Sequence, residues 1–74
     1  MTYTIIMEPT GDGRWNALVP DLPGLLLAGA TKNELLVDAP NAILDYLDVM
    51  LEAGNAIPRA ATEAAQVTVA VPAA

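Results

Sequence analysis

Cysteine, histidine and serine are all missing from this 74-residue chain. Without cysteine, neither a disulfide framework nor a thiolate metal site can form. Without histidine and serine, the most frequent general base and a common nucleophile are missing, so the remaining route to catalysis is carboxylates holding a metal such as Mg²⁺. We therefore expect that the protein is not an enzyme and that it binds no metal and no cofactor.

Long apolar runs and basic residues are also scarce. No stretch approaches the roughly 20 apolar residues of a membrane span, and the first four residues lack the basic start of a signal peptide, so we expect a cytoplasmic protein.

Three basic residues against nine acidic ones give a net charge of −6, which disfavours direct contact with nucleic acid. The acid excess favours a basic protein partner, although it also suits the solubility of a small chain that is 54% hydrophobic.

Three short strands are predicted in the first part of the chain. Residues 2–8 and residues 14–19 alternate between apolar and polar side chains, and the turn-forming residues 9–13 join them. Trp15, on the apolar face of the second run, is interpreted as a core or half-buried residue rather than a stacking platform for nucleic acid. An apolar run at residues 25–28 predicts the third strand.

A rigid corner separates the second and third strands. Its two prolines cannot donate to a sheet ladder, and its glycine permits a positive φ. The corner residues are Pro20, Asp21, Leu22, Pro23 and Gly24.

A long helix follows the third strand. Thr31 and Glu34 have the spacing of a capping box, and Gly54 is a natural residue just past a helix that ends at Ala53. Pro40 lies inside this pattern, so either the helix kinks there or two helices meet near Ala39. The core-facing residues are expected to be Leu36, Ala39, Ile43, Leu47 and Met50.

The last part of the chain predicts a fourth strand. Residues 55–65 are rich in alanine and form either a loop or a further helical turn, whereas residues 66–71 alternate again, with three valines on one face. The order β-β-β-α-β predicts one α+β domain over residues 1–74. In it, an antiparallel meander and the helix form two layers, and a right-handed crossover places the fourth strand beside the first and parallel to it.

Around its corner the chain resembles the HicB-like antitoxin family. The matching residues are an aromatic-x-Ala-x-Val run before the corner, then Gly29 with Thr31 and Glu34, and later Gly54 with Ile57-Pro58. The resemblance implies a reduced ribonuclease-H-like sheet. It also implies an antitoxin that neutralises a small basic RNA-cleaving toxin of the HicA type by covering the toxin's active surface.

The chain departs from the family pattern at three places. Pro40 stands where good helix formers are usual, and Arg59 stands where a second proline is common. Many family members carry a DNA-binding module after this domain, and none is expected here. We therefore expect a stand-alone HicB-like domain that does not regulate transcription by itself.

One side of the predicted helix is acidic. Six residues fall within an arc of about 80°, at 100° per residue; five are carboxylates and none is basic. This acidic stripe is either a solvated face or a docking surface for the toxin. Together with Asp21 at the corner, its carboxylates are the predicted partner contacts. The stripe consists of Glu34, Asp38, Asn41, Asp45, Asp48 and Glu52.

A second stripe on the helix is apolar and widens the hydrophobic arc beyond what packing on one sheet requires. It predicts a homo-oligomer, a dimer or a tetramer, with Val37, Leu44 and Leu51 at the interface. Alternatively, the apolar stripe is covered within one chain, either by a deep sheet that wraps around the helix or by residues 55–65 folded over it. This helical apolar stripe consists of Val37, Pro40, Leu44, Leu47 and Leu51.

Two other functions compete with the antitoxin. A homo-oligomeric scaffold or small-ligand sensor without a toxin is compatible with the same residues. A metal-dependent nuclease is less compatible, because two-metal chemistry needs carboxylates that converge at strand ends. The interior of the first predicted strand and the whole of the last offer none.

Overall fold

The computed structural model describes residues 1–73. It contains three strands and one helix, in the order β1 (Ile6–Pro9), β2 (Trp15–Leu18), β3 (Leu26–Gly29) and α1 (Lys32–Glu52). The strands form one antiparallel sheet in the order β1-β2-β3. The α+β class and the three-stranded meander predicted from the sequence are thereby confirmed, and β1 is an edge strand.

The register of the sheet sorts its side chains onto two faces. Met7 pairs with Ala17, which pairs with Leu27, and this row faces the core. The neighbouring row places Ile6, Leu18 and Leu26 side by side on the opposite face, where all three are exposed. Alternation along each strand therefore gives one covered and one uncovered sheet face.

The corner between β2 and β3 contributes to the core as well as to the turn. The amide of Leu22 donates to the Val19 carbonyl at 2.9 Å, and the amide of Leu25 donates to the Leu22 carbonyl at 3.2 Å. Gly24 has a φ of +85°, a value that a residue with a Cβ adopts only at a cost. Within this tight turn Leu22 points into the core and is fully buried. The sequence placed Leu22 in the corner but did not predict that it belongs to the core.

Helix α1 is a single helix that contains Pro40, which settles the choice between one helix and two. Thr31 is the N-cap, and its hydroxyl accepts from the Glu34 amide at 3.1 Å. At the other end, the amide of Gly54 donates to the Leu51 carbonyl at 3.0 Å, and the amide of Asn55 donates to the Met50 carbonyl at 2.9 Å. This is a Schellman motif, with Gly54 at a φ of +81°.

The face that α1 buries differs from the predicted one at its first turn. Leu35 and Ala39 are buried, whereas Leu36, which the sequence placed in the core, is exposed. A Cβ added to Gly29 would lie 2.9 Å from the amide nitrogen of Leu35. Because glycine lets the helix start approach β3 this closely, Leu35 rather than Leu36 points into the sheet.

The chain after α1 folds back to the sheet without forming a fourth strand. The Tyr3 hydroxyl donates to the Pro58 carbonyl at 2.6 Å, and the Thr4 hydroxyl donates to the Thr62 carbonyl at 2.9 Å. Residues 66–71, predicted as a strand parallel to β1, belong to no sheet within the described residues. Their valines are exposed instead of packed, because the chain leaves the domain after Thr62 rather than following the free edge of β1.

Candidate protein-binding surfaces

The acidic stripe lies on the solvent side of α1. All six of its residues are exposed, because the buried positions Leu35 and Ala39 point about 100–140° away around the helix axis. Glu34 is the one member with a local role, since its carboxylate accepts from the Ala30 amide at 3.1 Å and completes the helix cap. The other four carboxylates accept no hydrogen bond from the residues that the structure describes.

The one basic residue of α1 does not neutralise this stripe. The ammonium group of Lys32 lies 4.7 Å from the centroid of the Trp15 ring, in a cation–π contact. Trp15 is half-buried against the core, as its strand position predicted. The lysine is thus held toward the sheet, and the five carboxylates keep an uninterrupted negative surface.

Asp21 has an internal role that the sequence did not indicate. Its carboxylate accepts from the backbone amides of Ala61 and Thr62, at 3.2 and 3.0 Å, and from the Thr62 hydroxyl at 2.8 Å. We call this set of contacts the Asp21 clasp. It joins the β2–β3 corner to the segment that follows α1, so the one predicted partner contact outside the helix is engaged within the chain.

Hydrogen bonding lowers the pKa of two aspartates. For Asp21 the main cause is the backbone amide of Thr62, followed by the Thr62 hydroxyl. For Asp12, in the hairpin turn, the Thr10 hydroxyl lowers the pKa most, and the Arg14 amide adds to it. Donors aimed at a carboxylate favour its charged form. At neutral pH the ionised carboxylate of Asp12 therefore accepts hydrogen bonds within the hairpin turn, and that of Asp21 accepts those of the clasp.

An apolar groove opens between the start of the chain and α1. Its volume is about 590 Å³. It is lined by residues 1–3, by four residues of α1 (Pro40, Ile43, Leu44 and Leu47) and by Ile57. The groove exists because α1 packs on β3 and β2 and contacts β1 at most marginally. We call it the edge groove, since it lies beside the N-terminal approach to the edge strand.

The three residues predicted to form the oligomer interface do not all lie in the edge groove. Val37, Leu44 and Leu51 are 66%, 58% and 52% exposed. Only Leu44 lines the edge groove. The structure therefore leaves all three exposed but places only Leu44 in the edge groove.

Neither a metal centre nor a membrane-spanning helix is found in the described part of the chain. No three carboxylates within residues 1–73 converge in a way that would hold a metal ion. Over the same residues, no helix combines the length and apolar character that crossing a bilayer requires. The exposed surfaces described above are acidic on one side of α1 and apolar beside the start of β1.

Comparison with known sequences identifies the family of the chain. The sequence model of a family described as "HicB_like antitoxin of bacterial toxin-antitoxin system" matches residues 3–72. The match extends over nearly the whole chain. The protein therefore belongs to the HicB-like antitoxin family, as its corner and cap residues predicted.

Two relatives show how this domain occurs elsewhere. The UPF0150 protein Ta0767 of Thermoplasma acidophilum is 37% identical over 59 residues, which cover 80% of this chain and 86% of the relative. An uncharacterized 14.9 kDa protein from the rep-hol intergenic region of Haemophilus phage HP1 is also 37% identical over 59 residues, but these cover only 44% of its length. No solved structure matches the chain.

Proposed function

We propose that this protein is an antitoxin that neutralises a small, basic, RNA-cleaving toxin of the HicA type by covering its catalytic and RNA-binding surface. The observation that carries the proposal is the exposed acidic stripe on α1, in a chain that belongs to an antitoxin family. Inhibition by covering requires a complementary surface and no catalytic groups. A chain without histidine, cysteine or serine is suited to that role.

The contacts to the toxin are assigned to the helix rather than to the corner. Asp38, Asp45, Asp48 and Glu52 have exposed side chains whose charge can steer a basic protein and pair with its lysines and arginines. Glu34 extends the stripe at the helix start while serving as part of the cap. Asp21 is left out of this surface, because its carboxylate already accepts three hydrogen bonds from its own chain.

Assembly and location complete the proposal. We place the protein in the cytoplasm, where an RNA-cleaving toxin would find its substrate, and we propose that it acts as a homo-oligomer. The exposure of Val37, Leu44 and Leu51 supports self-association. A fourth strand, and with it a ribonuclease-H-like sheet, is proposed to form only in the assembled protein, since residues 66–71 have the sequence of a strand but pair with no strand among residues 1–73.

Toxin inhibition provides the direct test. The reading frames on either side of this one are expressed, and the RNA cleavage by any short basic product is measured with and without this protein. We expect cleavage to stop at about one equivalent of antitoxin. This protein alone, with Mg²⁺ or Mn²⁺, should cleave neither RNA nor an RNA–DNA hybrid. A neighbouring product that binds without being inhibited, or cleavage by this protein alone, would rule out the antitoxin proposal.

A further inference from the structure

Residues 66–71 have the character of a strand that lacks a partner. Val67, Val69 and Val71 alternate with Thr68 and Ala70, and the three valines are 84%, 72% and 81% exposed. β-branched residues at every second position favour a strand with one buried face. No charged residue lies between Ala64 and Ala73. An uncharged, exposed segment of this kind is prone to pair with any open sheet edge, so a stable protein needs to cover it.

The same chain offers an uncovered site for such a strand. Within residues 1–73, β1 pairs only with β2, so its outer edge can accept another strand. The edge groove lies beside the approach to this edge, and no charged side chain lines it. A strand added to β1 would point every second side chain toward α1, the side on which the groove lies. Three valines at alternate positions suit such a site.

The chain's own path leads residues 66–71 away from this site. Thr62 is tied to Thr4 and to the Asp21 clasp, at the end of the sheet where β1 begins and β2 ends. Every described residue after it is exposed. The radius of gyration is 15.2 Å and the longest dimension is 54 Å, whereas a compact chain of this length has a radius of gyration of about 11 Å. The segment extends outward, where a second molecule can receive it.

We propose that residues 66–71 add as a strand to the β1 edge of a second copy, with Val67, Val69 and Val71 in that copy's edge groove. Each copy gives one strand and receives one, so the exchange closes across a two-fold axis. The received strand occupies the place that the sequence assigned to the chain's own fourth strand. Reciprocal exchange covers both exposed segments, both strand edges and both grooves in a single interface.

Cross-linking between copies tests this geometry directly, because the chain has no native cysteine. A tagged V69C protein is mixed with an untagged L44C protein and treated with a short bis-maleimide. We expect a mixed covalent dimer. A T68C protein serves as the matched control, because its side chain would point to the opposite face of the exchanged strand, and it should cross-link to L44C far less.

The doubly substituted chain V69C/L44C separates exchange from folding back. Exchange predicts a covalent dimer, whereas residues 66–71 folded onto their own β1 would give a cross-linked monomer. A cross-linked monomer as the main product would overturn the proposal. Absence of any specific product from both the mixture and the double variant would overturn it as well.

Oligomeric state provides an independent readout that does not depend on a toxin. We expect wild-type protein to be a dimer by light scattering and V69D to raise its dissociation constant more than about tenfold, since an unpaired carboxylate resists burial. T68D should change it less than about threefold. Val69 is exposed within one chain, so V69D should keep the wild-type circular dichroism spectrum. A wild-type monomer at high micromolar concentration, or equal effects of V69D and T68D, would contradict the exchange.

Discussion

The carboxylate of Asp21 receives both the backbone amide and the hydroxyl of Thr62, at 3.0 and 2.8 Å, across 41 positions of sequence. This pair joins the β2–β3 corner to the chain that follows α1. Together with the bond from the Thr4 hydroxyl to the Thr62 carbonyl, it holds the point from which residues 63–73 depart. The clasp therefore controls where the last part of the chain begins its course.

Removing the carboxylate should release that segment while leaving the sheet intact. In D21A we expect the amides of Ala61 and Thr62 to exchange with solvent much faster, because they lose their acceptor, while amides within β2 keep their protection. Native-state hydrogen exchange by NMR measures both. D45A, which removes a carboxylate that has no hydrogen-bond partner among residues 1–73, is the control. Unchanged exchange at Thr62 in D21A would show that other contacts hold the segment.

The clasp should also respond to acid in a defined direction. Hydrogen bonds from Thr62 hold the pKa of Asp21 below its ordinary value. Its contribution to stability is therefore fully present above that ordinary value and is lost as the pH falls through the lowered pKa. An NMR titration that follows the Asp21 carboxyl carbon and the Thr62 amide should give one shared midpoint below that of an aspartate in a model peptide. A midpoint at or above the peptide value would contradict the clasp.

Gly24 should matter for its backbone conformation alone. A Cβ at this position would meet no atom within 4 Å, but φ is +85°. We expect G24A to lower the free energy of unfolding by about 1 kcal/mol, and G24N to lower it less, because asparagine tolerates left-handed backbone. Urea denaturation gives both values. P23A, which leaves this φ unchanged, should cost less than G24A. Equal losses for G24A and G24N would point to a cause other than φ.

Charge reversal on the acidic stripe should impair partner binding without harming the fold. We expect D45K/D48K to lose affinity for the toxin mainly through slower association, with a weaker dependence on salt. Its thermal stability should be unchanged or slightly higher, because the lysine introduced at position 48 would face Glu52 one turn away. E8K/E63K makes the same change in net charge away from the stripe and is the matched control. If both double variants lose affinity equally, net charge rather than the stripe governs recognition.

Three glutamate substitutions distinguish two modes of self-association. If the helical apolar stripe is the interface, V37E, L44E and L51E should each shift the protein toward monomer. If strand exchange is the interface, L44E should do so, since Leu44 lines the edge groove, whereas V37E and L51E should leave the oligomer intact. Analytical ultracentrifugation over a range of concentrations separates these patterns, because dissociation depends on concentration.

Local chemistry made much of the fold predictable from sequence. Alternation at residues 2–8 and 14–19 located β1 and β2, although the observed strands are shorter. The Thr31 cap and Gly54 located both ends of α1 to within a residue. These signals depend on neighbours within about four positions, so they can be found without knowing the rest of the structure. Family membership followed from the same short patterns.

Other features depend on contacts between distant parts of the chain. Whether Leu35 or Leu36 entered the core was decided by Gly29, which brings β3 against the helix start. The role of Asp21 depended on Thr62, far along the sequence.

The sequence by itself determined the three strands, the capped helix, the acidic stripe and the family, because each is set by side-chain periodicity or by turn chemistry. Only the tertiary structure decided that Leu22 fills the core, that Asp21 binds its own chain and that residues 66–71 lie outside the sheet. A strand-forming sequence can pair with any free edge, so its period cannot reveal which edge it meets. That choice is made by the path of the chain, which here is bound to the β2–β3 corner at Thr62 and is exposed from there to residue 73.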